Sequence, residues 1–289
     1  MSEEPKPQWS EKETKWALDQ LLAVWEWFRK KFAAKPPADA PEPTEAPPGI
    51  LIIGPGGVGK TTLGKVLSGQ LGGWVFGGEA WKYAESYAEE HYALVGEPTV
   101  ELVVPAGQES RRASSWAEVR ADITGGRYSG IIVVAAFGHH NLTGFGYKSH
   151  KLYDGGKERF LDAYRAAKLE EERKVIEFLR PALEDAAGKL WVLTVVTKQD
   201  LWWDSRADAE AAYLSGVWAD TLEQVEAKRG GRQFRHETAF ASLVPANLED
   251  PEGAVLFETA AGYDMSKQAE SVNALIGKLA ALKDWESAT

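Results

Sequence analysis

The sequence predicts a three-layer α/β fold, a mostly parallel sheet with helices on both faces, and three observations lead there. Short apolar runs alternate with longer helical patterns from Ile50 onward. A glycine-rich loop joins the first apolar run to the first helical one. The composition, 44% hydrophobic and 26% charged over 289 residues, is that of a chain able to bury a sizeable core.

The strands are expected at Ile50–Ile53, Tyr92–Val95, Val100–Val104, Ile131–Ala136, Leu190–Val196 and Phe234–Phe240. Helices are expected at Thr61–Ser68, Trp116–Ile123, Lys157–Glu184, Asp208–Lys228 and Ser266–Leu282. Before them, Ser10 and Glu13 fit a capping box, and Leu18, Leu21, Leu22, Trp25, Phe28 and Phe32 recur at helical spacing. Six prolines between Pro36 and Pro48 can neither continue a helix nor complete a ladder. The expected division is therefore an amphipathic helix in residues 1–35, a Pro-rich linker over 36–49 and one folded domain over 50–289.

A formal net charge of −10 repels phosphate backbones and argues against broad nucleic-acid binding. The absence of cysteine removes disulfide scaffolds, thiolate zinc sites and cysteine nucleophiles together. The acidic start has no signal-peptide pattern, and Ser2 stands where myristoylation needs glycine. The longest apolar run, Ile131–Phe137, is far short of the roughly 20 residues that span a bilayer. These features point to a cytoplasmic protein without stable membrane insertion.

Gly54-Pro55-Gly56-Gly57-Val58-Gly59-Lys60-Thr61 satisfies the phosphate-loop pattern G-x-x-x-x-G-K-[ST], after a strand and before a helix. Glycines let successive N–H groups turn inward on phosphate oxygens, and the helix adds its positive end. Lys60 would reach the β- and γ-phosphates, and the Thr61 hydroxyl, followed by Thr62, would serve Mg²⁺. Downstream, Thr197-Lys198-Gln199-Asp200 follows the strand Leu190–Val196. This tetrapeptide resembles the [N/T]-K-x-D element of GTP-binding proteins, in which the aspartate accepts from both N1–H and the exocyclic amine of guanine, a match adenine does not offer.

Together with Ala106-Gly107-Gln108-Glu109, these motifs resemble Ras-like P-loop GTPases of a bacterial style. The resemblance implies a G domain that binds Mg²⁺ with GTP or GDP, and a protein effector or regulator as partner. It implies that Gly107 N–H senses the γ-phosphate and that Gln108, with Lys60, is catalytic through positioning of water. It also places the short turn that meets the guanine O6 at Ala241-Ser242-Leu243. Two departures stand out. Val104 occupies the place of an Mg²⁺-holding aspartate, with Glu101 no obvious substitute, and no threonine lies between Thr62 and Thr99 for the first switch, where Ser86 is the candidate.

The expected function is a guanine-nucleotide switch with slow hydrolysis. The alternatives are a non-hydrolysing GTP-binding adaptor and, third, a P-loop kinase or ATPase. His139, His140 and His150, among glycines, suggest a mobile polar loop rather than a zinc site, with a lid or partner surface as alternatives. Arg111 and Arg112 read as a solvated switch helix rather than an arginine finger. Trp202 and Trp203 are expected over the base site or at a core edge, while Trp16, Trp25 and Trp27 give the N-terminal helix an apolar face to bury.

Overall fold

The computed structural model describes residues 48–69, 89–94, 97–105 and 109–288, with backbone alone at 97–99 and 109–115. It adds Lys15, Asp19, Ala23, Glu26, Trp27 and Lys30, all helical. The expected capping box, the linker prolines before Pro48, Ser86, Gly107 and Gln108 lie outside the described residues.

Six strands form one sheet in the order β2-β3-β1-β4-β5-β6. They are β1 (Gly49–Ile53), β2 (Glu90–Leu94), β3 (Glu97–Val104), β4 (Tyr128–Ala135), β5 (Leu190–Val196) and β6 (Phe234–Phe240). All neighbours run parallel except β2, which returns antiparallel along β3. The helices are α1 (Lys60–Leu67), α2 (Glu109–Thr124), α3 (Lys157–Asp185), α4 (Gln199–Trp202), α5 (Arg206–Leu214), α6 (Val217–Arg229) and α7 (Met265–Ser287). The expected α/β architecture is present, and β5 and β6 have the boundaries expected from sequence.

Strand periodicity divides the core in two. Ile50, Ile52, Ile132 and Val134 point to the face covered by Leu63 and Leu67 of α1 and by Val272, Ile276 and Leu279 of α7. Leu51, Ile53, Ile131 and Val133 point the other way, toward Val119 and Ile123 of α2, Val175 and Leu179 of α3, and Leu222 of α6. The central strands β1, β4 and β5 are buried at every position, as strands covered on both faces must be.

Two expectations need correction. The single helix expected over Asp208–Lys228 is two helices, because the chain turns at Ser215 and restarts at Gly216, which is extended at φ −108°. A two-stranded hairpin, β7 (Leu248–Glu249) with β8 (Val255–Phe257), occupies the connection from β6 to α7, where no strand was expected.

The chain leaves β1 toward β3 and leaves β4 toward β5, so the direction of winding reverses between β1 and β4. In sheets of this kind ligands are held at the carboxyl ends of the strands where the winding reverses, which here are the ends of β1 and β4.

Candidate nucleotide-binding site

β1 ends at Ile53 and α1 begins at Lys60, so Gly54–Gly59 form the turn at the carboxyl end of β1. Gly54 is pressed against β4: a Cβ there would stand 2.2 Å from the Val134 carbonyl oxygen. Gly57 has φ +76°, and Gly59, with φ +95°, is the N-cap of α1. Only glycine takes both positions without strain. Val58 points into the core and fixes the turn from below, and Pro55 is buried, while Gly56, Thr61 and Thr62 are half-buried. Lys60 is buried, and its ammonium donates to the Pro55 carbonyl at 2.9 Å, reaching back across the turn.

The segment after β5 is fastened to that turn. Thr197 Oγ1 donates to the Val58 carbonyl at 2.6 Å and lies 3.0 Å from the Ala135 carbonyl. Lys198 takes a left-handed conformation at φ 57°, which aims its ammonium at the Gly57 carbonyl, 2.9 Å away, and at Asn141 Oδ1. Burial brings the Lys198 ammonium down to about 7, against the pull of the Asp200 and Glu172 charges.

Asp200 is 1% exposed. Ser242 Oγ donates to its Oδ1 at 2.5 Å, while Ala246 N–H and Thr259 Oγ1 donate to Oδ2 at 3.1 and 3.2 Å. Burial raises its pKa, and these donors oppose the rise. Ala241 is buried and paired at both ends, its N–H to the Val196 carbonyl at 3.0 Å and its carbonyl to Gln199 N–H at 3.3 Å. The candidate turn Ala241–Ser242 therefore lies directly beside Asp200. Trp202 fills the core, its indole N–H on the Thr197 carbonyl at 2.8 Å, and Trp203 packs edge-on against Tyr263.

The turn after β4 is not the mobile loop expected from its glycines. His139 is 3% exposed and His140 fully buried, and the reason is Glu172 of α3. Glu172 Oε1 accepts from Ala136 N–H at 2.8 Å, Gly138 N–H at 3.2 Å and His140 Nε2 at 2.7 Å, and Tyr213 donates to Oε2. Burial alone would push this carboxyl up, but bonds from His140, Tyr213 and Ala136 hold it low. Burial pushes the imidazole of His140 down, so the pair is a carboxylate with a neutral ring. No metal-binding group of three or more His, Asp or Glu exists among the described residues.

This pinned turn ends at Asn141, whose N–H donates to the Gly57 carbonyl at 3.1 Å. Asn141 thus joins the phosphate turn to Lys198, a role that sequence reasoning missed. The available signal was a polar residue soon after a central strand, next to a phosphate loop. The hairpin adds a second layer: Asp250 accepts from Tyr147 N–H at 2.8 Å, and Phe257 packs against the ring of His139.

No protein-family model matches the chain, and no curated protein does. Among solved structures it is similar to an ADP-ribosylation-factor-like GTP-binding protein, the small COPII coat GTPase SAR1 of Encephalitozoon cuniculi with GDP, at 15% identity and TM-score 0.40, covering 93% of this chain and 92% of that one. The signal recognition particle receptor SRb with GDP from Chaetomium thermophilum is similar at 13% identity and TM-score 0.36, over 68% and 89% of the two chains. Toc33 of Arabidopsis thaliana, in complex with Mg²⁺ and GMPPNP, is similar at 9% identity and TM-score 0.40, over 94% and 92%. Likenesses at this distance carry nothing about the chemistry of this chain, and its fold stands on its own strand order.

The metal side fits a hard cation in part. The Thr61 hydroxyl, on the first turn of α1, is an oxygen donor of the kind Mg²⁺ takes. Val104 is 2% exposed and lies in the apolar cluster with Ile50, Leu63 and Leu67, so β3 contributes no ligand at that position. Glu101 is exposed and is bonded to His91 at 2.7 Å, as its opposite facing on the strand requires. Among the described residues, no helix is long and apolar enough to cross a membrane.

Proposed function

We propose that the chain is a guanine-nucleotide switch that binds Mg²⁺ with GTP at the ends of β1, β4 and β5 and hydrolyses it slowly to GDP and phosphate. The observation that carries this reading is the direct bonding of the phosphate turn to the Thr197–Asp200 segment, through Thr197 on Val58 and Lys198 on Gly57. A turn suited to phosphates and a carboxylate suited to a base are held in one frame, as recognition of a whole nucleotide requires.

In this reading the turn N–H groups and the end of α1 neutralise phosphate charge, and Lys60 swings from Pro55 onto the β- and γ-phosphates. The cation supplies further charge neutralisation beside Thr61. Asp200 reads the base, with Ala241 and Ser242 alongside. Gln108 orients water, so the rate comes from positioning rather than acid–base chemistry and is slow without a protein partner. A carboxylate offers about four acceptor positions. Ser242, Ala246 and Thr259 already occupy three of them, so a guanine edge, which brings two donors, has to displace one of these.

The second reading, an adaptor that binds GTP and keeps it, is favoured by Val104, which leaves β3 without a metal ligand. A single-turnover assay with equal GTP and ATP plus Mg²⁺, resolved by chromatography, decides between them. GDP alone, formed slowly, is expected. Intact bound GTP would give the adaptor, ADP a kinase or ATPase, and no retained nucleotide would end the nucleotide reading. Lys60→Ala is expected to abolish retention, and Asp200→Asn to weaken guanine binding by about 2 kcal/mol, some 30-fold in Kd, without weakening ATP.

A further inference from the structure

The apolar place of Val104 leaves the metal side short of a carboxylate, and the sheet brings one there from the neighbouring strand. β2 runs antiparallel to β3, so its first residue lies beside the last of β3, and the register pairs Glu90 with Val104. Residues directly opposite in an antiparallel pair send their side chains to the same face. Val104 faces α1, because it packs with Leu63 and Leu67. Glu90 therefore faces α1 as well, at the carboxyl end of the sheet where the phosphate turn lies.

Tyr92 confirms that facing independently. It lies two residues along β2, on the same face as Glu90, and its ring rests on Gly64 of α1 so closely that a Cβ there would stand 2.8 Å away. Its hydroxyl donates to Glu90 Oε2 at 2.9 Å, which fixes the direction of the carboxylate. Thr61 precedes Gly64 by three residues, so it occupies the same side of α1 one turn nearer the phosphate turn. The other two acids of this edge turn away. Glu89 and Glu101 both bond to His91, which is exposed, at 2.9 and 2.7 Å. Of these three carboxylates, Glu90 is the one on the α1 side, and it is half-buried there.

We propose that Glu90 replaces the missing β3 aspartate and, with Thr61, holds the divalent cation of the nucleotide complex through bound water. The proposal rests on the guanine-nucleotide reading. Glu90, the first residue of β2, lies within the stretch between Thr62 and Thr99 that carries no threonine. The oxygen donor set, a hydroxyl and a carboxylate, is the kind that suits Mg²⁺ with phosphates and waters completing the shell.

The test follows retention of a fluorophore-labelled GDP by the full chain as Mg²⁺ is varied, with affinity in excess chelator as the reference. Glu90→Gln is expected to raise the Mg²⁺ concentration for half-maximal retention by about 10-fold, the usual scale for loss of an outer-shell partner, and to leave the chelator affinity unchanged. Glu101→Gln, an equal loss of charge on the opposite side, is expected to change neither. Adding Val104→Asp to Glu90→Gln is expected to restore the Mg²⁺ requirement. Tyr92→Phe keeps the ring on Gly64, removes only the bond to Glu90, and is expected to shift the same midpoint by a smaller factor. An unchanged midpoint in both Glu90→Gln and Tyr92→Phe overturns the assignment. Failure of the wild type to retain GDP at any Mg²⁺ concentration removes the guanine reading itself, a result distinct from retention that ignores Glu90.

Discussion

The turn from Gly54 to Thr61 takes its shape from its own residues: glycines at the left-handed positions, a valine driven into the core, and a lysine folded back on a proline carbonyl five residues before it. Asp200 owes its setting to distant chain. Its side-chain partners Ser242, Ala246 and Thr259 lie 42, 46 and 59 residues further on. The glycine-rich turn is thus local in its backbone shape, although Thr197, Lys198 and Asn141 bond to it from afar, whereas the setting of Asp200 is wholly an assembly. A local device survives changes elsewhere as long as its backbone conformation is allowed, whereas an assembly fails when any contributing segment moves.

The largest expected break in that contrast comes at Glu172, which belongs to neither side but pins the turn that links them. Glu172→Ala leaves His140, Tyr213 and the N–H groups of Ala136 and Gly138 without their buried acceptor. Four buried donors left unsatisfied are expected to cost about 3–5 kcal/mol of unfolding free energy in denaturant melts. A loss below about 1 kcal/mol would mean that the linking turn holds without it.

A pH measurement sharpens the same point. Burial, with the Arg165 and Lys198 charges, pushes the His139 imidazole from its ordinary 6.5 down to about 3. Between those values the unfolded chain binds a proton that the folded chain refuses, so stability is lost as pH falls through 6.5 toward 3. The stability difference between wild type and His139→Phe, which keeps a ring against Phe257, should change with a slope approaching about 1.4 kcal/mol per pH unit below 6. A difference that is flat from pH 7 to 4 would return His139 to the solvent-exposed loop that its glycine neighbours suggest.

The smallest effect is expected at Thr259, one of the donors to Asp200 that a base would displace in the guanine-nucleotide reading. Thr259→Val should cost the free protein about 1 kcal/mol while tightening guanine nucleotide binding a few-fold. Weaker binding in that variant would instead make Thr259 part of the assembled base site, and the two sides would differ less than they do here.

What could be read in advance follows the same division. The boundaries of β5 and β6 and the approximate spans of β1 and α3 were legible because continuous apolar runs and helical spacing are imposed by the burial of one element at a time. The phosphate turn was legible because the positive φ angles at Gly57 and Gly59 make a pattern of glycines. The hairpin β7–β8 was missed because its two short strands are too brief to show a period, and they are held by Asp250, which accepts from Ala254 and from Tyr147 in a remote segment. The turn after β4 looked mobile because polar residues and glycines usually mean solvent, and nothing near it in sequence announces a glutamate 32 residues beyond His140.

By itself, then, the sequence determined the layered α/β architecture and the conformation of the glycine-rich turn, since both follow from residue-by-residue preferences for burial and backbone conformation. Only the tertiary structure decided where Asp200, Asn141 and Glu90 stand. The roles proposed for them rest on partners brought together by strand order and register, on Gly57 and Lys198 meeting at Asn141 and on the pairing of Glu90 with Val104. A contact of that kind has no local cause: a local motif marks Asp200, but nothing near it in sequence marks Ser242, Ala246 or Thr259 as its partners.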